Sequence, residues 1–218
     1  MKTTVGDVMT TNVVAVREGT GYKEIVTLLR EHRVSAFPVV DQEDRVVGVV
    51  SEADLLVKPA APAFPQGQIR LAWRLEERSK ATGVTAADLM STPPITIGPA
   101  AAVREAARLM QSRQVKRLPV VGKDGRLVGI ISRTDVLGVF ERPDEQIRDE
   151  VIRSISAGEL GLDSDLLDVA VKSGIVTISG PVDRRATALS LLGAARYVDG
   201  VVAVRDRLSY PAERPGGR

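Results

Sequence analysis

The chain has 218 residues, 44% of them hydrophobic, so it can bury a core; 30 Lys and Arg against 28 Asp and Glu leave a formal charge of only +2, too small for a dominant nucleic-acid or acidic-membrane field. It has no cysteine and one histidine, His32, which excludes disulfides, thiolate metal sites and multi-histidine centres and gives imidazole triads a single candidate. An enzyme is therefore not expected, carboxylate chemistry being the route that counting alone leaves open.

The opening MKTTVGDVMT has one lysine and no apolar run of signal-peptide length, and no later stretch is long enough to span a bilayer, so a cytoplasmic location is expected. The chain then repeats itself. A constant offset of 81 carries Asp7 to Asp88, Met9 to Met90, Glu24 to Glu105, Leu28 to Leu109, Pro38 to Pro119, Gly48 to Gly129, Ser51 to Ser132 and Asp54 to Asp135 without a gap. In the first copy, residues 1–58, a helical turn ends at Met9 and VVAV at 13–16 enters a strand. Ile25, Leu28, Leu29 and His32 then mark one face of an amphipathic helix, with His32 a solvated group at its end, where a cation suits the helix dipole. FPVV and VVGVV follow as β-branched strands around the polar turn Asp41–Arg45, and Ser51 opens another helix.

Residues 57–67, VKPAAPAFPQG, are too rich in proline for a regular helix throughout and begin a linker over 59–84. Within it QIRLAWRLEERSKATG predicts a short basic amphipathic helix closed by Gly83, docking Trp73 and leaving Arg70, Arg74, Arg78 and Lys80 in water. No nucleic-acid partner is expected, because aromatic interleaving is missing. The second copy, 85–142, repeats the order: a turn ending at Met90, a strand at PITI (94–97) where Pro93 and Pro94 forbid a helix, and a helix with Val103, Ala106, Ala107 and Met110 inward. LPVV and LVGII then flank the turn Gly122–Arg126, and a helix starts at Ser132.

Pro143 and the acidic RPDEQ close the repeat. A second domain over 146–210 reads helix, strand, strand, helix, strand. Ile147, Val151, Ile152 and Ile155 give the first helix face, LLDVAVKSGIVTISGPV two strands joined at Lys172–Gly174, Arg184–Tyr197 a helix, and VVAVRDRLS the last strand. Gly174, Gly180 and Gly200 sit where strand-end turns call for positive φ. Residues 211–218 form a loose polar tail.

The duplicated V-x-x-x-M start, hydrophobic-P-V-V strand and G-hydrophobic-hydrophobic-S-x-x-D turn resemble the CBS motif family, whose members pair into a pseudo-two-fold disc. The run from Val169 to Gly180 and V-x-G-V-x-x-V from Val198 to Val204 resemble a BON domain. The fold expected is thus α/β (α+β): two β-α-β-β-α motifs and a small α-β-β-α-β domain. The resemblance implies a regulatory protein, dimeric through the exposed helix faces of its disc, that needs no cofactor and takes an adenine nucleotide or S-adenosyl compound as its regulatory ligand. It also implies a phospholipid or protein partner for the BON domain. Lys and Arg equal Asp and Glu from Ile147 onward, so electrostatic lipid binding has weak support there, and membrane contact would be peripheral, at the inner face.

At each S-x-x-D turn a strand ends and a helix begins, directing amides and the positive end of a helix dipole outward. Ser51 and Ser132 offer hydroxyls to a phosphate, and Asp54 and Asp135 suit the two hydroxyls of a ribose. The same four residues also satisfy a capping-box-like turn, a purely structural reading. The resemblance places adenine near Thr11–Val14 or Thr92–Ile95, beside Phe37 and Pro38 or Leu118 and Pro119. Where the first copy has His32, Ser35, Ala36 and Glu52, the second has Arg113, Lys116, Arg117 and Arg133. Tighter phosphate binding is therefore expected at Ser132–Asp135, although phosphates in paired modules can reach residues of the opposite copy. A ligand-free dimeric scaffold is the alternative.

Overall fold

The same local device starts each copy. In α1 (Val5–Val8) the Asp7 carboxylate accepts hydrogen bonds from the Thr4 amide at 2.8 Å and the Thr4 hydroxyl at 2.7 Å; in the equivalent Ala86–Leu89, Asp88 accepts from Thr85 at 3.0 and 2.8 Å. Both pairs satisfy donors that a helix start leaves without partners. The structure, a computed structural model, describes residues 3–60, 83–156 and 166–211. The predicted basic helix around Trp73 and tail residues 212–218 lie outside the described residues.

Contacts divide the chain into one unit spanning Thr4–Arg133 and a second comprising Thr134–Arg218 with Met1–Thr3. In the first unit, α1 is followed by β1 (Val16–Arg17), α2 (Tyr22–His32), β2 (Ala36–Val40), β3 (Val46–Ser51) and α3 (Glu52–Ala60). The second copy supplies α4 (Ala86–Leu89), α5 (Val103–Ser112), β4 (Arg117–Val121) and β5 (Leu127–Ser132), and α6 (Arg133–Gly138) follows. β2 and β3 pair antiparallel with Val39 opposite Gly48 and a register shift between Val39 and Val40; β4 and β5 reproduce this with Val120 opposite Gly129 and a shift between Val120 and Val121. Left-handed backbone recurs at the same offset, at Arg33 and Gln114 and at Asp44 and Gly125.

The first strand of each copy is shorter than expected. VVAV gives only β1, parallel to β2, and PITI gives no strand but one backbone pair, Ile97 with Val120. Pro93 and Pro94 have no N–H to donate to a ladder, so pairing is confined to Ile97, whose amide donates to the Pro119 carbonyl at 3.1 Å and whose carbonyl accepts from Val121 at 2.9 Å.

The two copies interlock rather than merely abut. Thr10 of the first pairs with Ile130 of the second, and Ser91 of the second pairs with Val49 of the first; likewise Thr4 pairs with Ala102 and Thr85 with Gly21. Each exchange is the other shifted by the repeat, and Arg45 with Arg126 maps onto itself. Core packing crosses over too: Ala86 and Leu89 of α4 pack with Val16, Ile25, Leu29, Phe37, Val39, Val50 and Leu55 of the first copy. A fully buried leucine such as Leu89 contributes about 1.5–3 kcal/mol, so the first copy does not close its core alone.

The second unit contains a 3-10 turn (Val139–Glu141), α7 (Asp144–Ser156), β6 (Asp168–Lys172), β7 (Ile175–Pro181), α8 (Arg185–Arg196) and β8 (Ala203–Ser209). Its helix-strand-strand-helix-strand order is the one read from the sequence. The sheet order is β6-β7-β8, antiparallel then parallel. Ile147, Val151 and Ile155 of α7 and Ala188, Leu191, Leu192 and Ala195 of α8 cover Val169, Val176 and Ile178. The β6–β7 hairpin turns through Ser173 at φ 52° and Gly174 at φ 71°, the paired positive φ of a two-residue hairpin loop. Asp144 fastens this turn by accepting both amides, at 2.7 and 2.8 Å. Gly180 and Gly200 also have the expected positive φ. Among the described residues no helix is long and apolar enough to cross a membrane.

Candidate functional site

The exchange of backbone between the copies leaves a cavity of about 270 Å³ in the first unit, close to the lower end of the range for small-molecule sites. Its wall is made from both copies. The first contributes Ser35 and Ala36 at the start of β2, Val49 in β3 and the strand-to-helix turn Ser51–Asp54; the second contributes Ser91, Pro93, Pro94 and Ile95 after α4 and Gln114–Arg117 leading into β4. Apolar faces from Val49, Ala53, Pro93, Pro94 and Ile95 stand beside hydroxyls, carboxylates and cations, the composition that holds a flat heterocycle attached to a polar group.

The S-x-x-D turn here is a closed local network. Asp54, only 9% exposed, accepts at one carboxylate oxygen from the Ser51 amide at 2.9 Å and the Ser51 hydroxyl at 2.6 Å. Its other oxygen accepts from the Ser91 hydroxyl of the opposite copy at 3.2 Å. The Glu52 amide donates to the Ser35 carbonyl at 3.0 Å. Two of the amides expected to face a phosphate are thus engaged within the protein, and Asp54 ties the copies together across the cavity wall.

The cations sit where the crossing carries them. Arg117 reaches into the first copy, its Nη2 donating to Ser35 Oγ at 2.7 Å and its Nη1 to the Ala36 carbonyl at 3.4 Å. Lys116, exposed, lies on the same wall. Lys116, Arg117 and Ile95, expected beside Ser132 and Asp135, therefore line the cavity that holds Ser51 and Asp54. Arg133 turns back onto its own copy, Nε donating to the Val115 carbonyl at 3.2 Å and its amide to that of Lys116 at 3.0 Å. Ser132 ends β5 opposite Arg117, and Asp135 is half-buried in the first turn of α6.

Other expected contacts fall elsewhere. Phe37 and Leu118, 1% and 0% exposed, point into the core; residues alternate sides along a strand, so Ala36 and Arg117, one position earlier, face the cavity instead, while Pro38 and Pro119 are buried without lining it. Thr92 donates its hydroxyl to the Val47 carbonyl at 3.2 Å, while Thr11 and Val14 are exposed on the first copy. His32 is exposed and meets the Phe37 ring edge-on at 6.2 Å. Among the described residues no group of three His, Cys, Asp or Glu is arranged to hold a metal. Ser91 and Gln114 also line the cavity, and no motif in the sequence marks them. The repeat aligns Ser91 with Thr10, but only the crossing shows that the residue after Met90 reaches Asp54.

The CBS domain family matches residues 5–60 and 86–142, and the BON domain family matches residues 143–212. The chloroplastic CBS domain-containing protein CBSX2 of Arabidopsis thaliana is 34% identical over 147 residues, which cover 62% of this chain and 62% of that protein. The chain thus spans about six tenths of the length of this curated relative. The crystal structure of CBSX2 in complex with AMP superposes with a TM-score of 0.55 at 34% identity, covering 62% of this chain and 94% of the solved one. The CBS domain pair of MJ0100, solved with 5′-methylthioadenosine and S-adenosyl-L-methionine, shares the fold with a TM-score of 0.53 at 20% identity, covering 65% of this chain and 98% of that one. Two matched motifs spanning more than half the chain, interlocked through the repeat's own symmetry, show that the protein belongs to the CBS-domain family, as a CBS pair followed by a BON domain.

Proposed function

We propose that this chain is a non-catalytic regulatory sensor that binds an adenine nucleotide in the cavity between its two CBS motifs, while the BON domain engages lipid or a partner protein. The observation that carries the reading is the cavity itself: Ser51 and Asp54 from one copy face Pro93–Ile95 and Lys116 from the other, and a 34% identical relative of the same pair fold is solved with AMP. In this reading adenine lies against Pro94 and Ile95, and a ribose hydroxyl takes the place of Ser91 on Asp54, whose bond from Ser91 at 3.2 Å is longer than the two it accepts from Ser51. Lys116 offers its charge to the phosphate. The Ser132–Asp135 turn is a second, pseudo-equivalent site. A cytoplasmic location, peripheral at the inner membrane face when the BON domain meets lipid, fits this role.

Isothermal titration with AMP, on wild type, Asp54→Ala and Asp135→Ala, tests the proposal. Saturable heat in wild type that falls at least tenfold in affinity in Asp54→Ala supports it. Loss only in Asp135→Ala moves the principal site to the second turn.

A scaffold reading is favoured by one observation, that Asp54 already accepts from Ser51 and Ser91. On that reading the turns are structural caps and the disc serves homodimerisation through helix faces such as that of the 63% exposed Leu56. No heat with AMP, together with a stable dimer, leaves this reading standing.

A further inference from the structure

The cavity's own charges select among nucleotides. Its ionisable lining consists of two carboxylates, Glu52 and Asp54, against two cations, Lys116 and Arg117, so the wall is formally neutral. Sites that hold polyphosphates need an excess of donors and positive charge, because each added phosphoryl group brings negative charge and acceptor oxygens that must be met. Here the donors are largely spoken for. Arg117 directs its guanidinium at Ser35 and Ala36, the Ser51 amide and hydroxyl go to Asp54, and the Glu52 amide goes to the Ser35 carbonyl. The Glu52 side chain, exposed on the first turn of α3, stands on the same wall as Lys116 and offsets its charge. The volume of about 270 Å³ also suits a compact ligand.

We infer that this site discriminates by charge, taking a nucleoside monophosphate in preference to the triphosphate, with Glu52 as the residue that repels the longer phosphate chain. The inference rests on the nucleotide reading above and adds the class of ligand and the residue that sets it. A carboxylate within several ångströms of an added phosphoryl group, in a water-exposed setting, changes affinity by about fivefold.

Titrate the full chain and its Glu52→Gln variant with AMP and with ATP, both free of divalent metal, at low and at raised ionic strength, checking the fold of the variant by circular dichroism. The expected result is AMP tighter than ATP by about tenfold in wild type, with Glu52→Gln narrowing that ratio about fivefold and raised salt narrowing it in wild type more than in the variant. ATP binding as tightly as AMP in wild type, or an unchanged ratio in Glu52→Gln, overturns the inference while leaving the nucleotide site in place. Absence of binding by both ligands overturns the nucleotide reading itself, and the inference with it.

Discussion

Substituting Gly48 by alanine tests the interlock that builds the cavity. An added Cβ at Gly48 would lie 2.3 Å from Met90 Sδ, 2.8 Å from Cγ and 3.0 Å from Cβ. Because the overlap runs from the tip to the root of that side chain, swinging the thioether aside does not relieve it, and either Met90 or β3 must shift. Overpacking of this kind costs about 1–3 kcal/mol, partly offset by the roughly 0.4–1 kcal/mol that alanine gains by restricting the unfolded chain. A net loss of about 1–2 kcal/mol is expected, a fall of some 2–8 °C in melting temperature for a chain of this size. Met90→Ala alone loses a half-buried side chain, at about 1–2 kcal/mol, below the range for full burial. In the double variant the new methyl occupies space the thioether vacated, so the summed losses should exceed the measured one by at least about 1 kcal/mol. Urea denaturation followed by circular dichroism closes this cycle. Additivity within about 0.5 kcal/mol would refute the claim that Gly48 exists to admit Met90. A Cβ added at the pseudo-equivalent Gly129 would meet Met9 Sδ at 2.4 Å but also the Thr10 carbonyl oxygen at 3.0 Å, so Met9→Ala should rescue Gly129→Ala less completely. Since Val49 and Ser91 pair one residue beyond the contact and line the cavity, Gly48→Ala should weaken AMP binding as well.

Asp7 and Asp183 are two of the carboxylates that contribute to stability against acid. The Thr4 amide, and after it the Thr4 hydroxyl, hold the Asp7 carboxyl below its ordinary value, and the Thr187 hydroxyl does the same for Asp183. A group lowered on folding stabilises the native state above its unfolded pKa of about 4, and that contribution disappears as pH falls through the lower folded value. The urea midpoint should be flat from neutrality to about pH 5 and drop below about pH 4, less steeply in Asp7→Asn and Asp183→Asn; unchanged steepness in both variants counts against these bonds. In the BON domain, Asp144→Ala strips the acceptor from the Ser173 and Gly174 amides, with an expected loss of about 1–2 kcal/mol. Hydrogen exchange should accelerate at those two amides first, and unaltered protection there would show that the hairpin holds its turn without the carboxylate.

Much of this architecture is local and therefore legible along the chain. The 81-residue offset, the helical turns ending at Met9 and Met90, the paired β-branched strands, the positive φ at Gly174, Gly180 and Gly200 and the helix-strand order after Pro143 each depend on residues close in sequence, whose backbone preferences and hydrophobic spacing act at short range. Even the shortened strand at 94–97 has a local cause, since two prolines remove its ladder donors. The composition of the cavity is a tertiary property. Sequence comparison grouped Lys116 and Arg117 with Ser132 and Asp135 because they share a copy; the fold exchanges backbone between copies, so those cations line the wall with Ser51, Asp54 and Glu52. Strand alternation likewise turned Phe37 and Leu118 inward and left Ala36 and Arg117 facing the cavity. The sequence determined which parts repeat, and the pseudo-two-fold crossing decided which part of one copy meets which part of the other, because the first copy buries its apolar face against the opening helix of its twin.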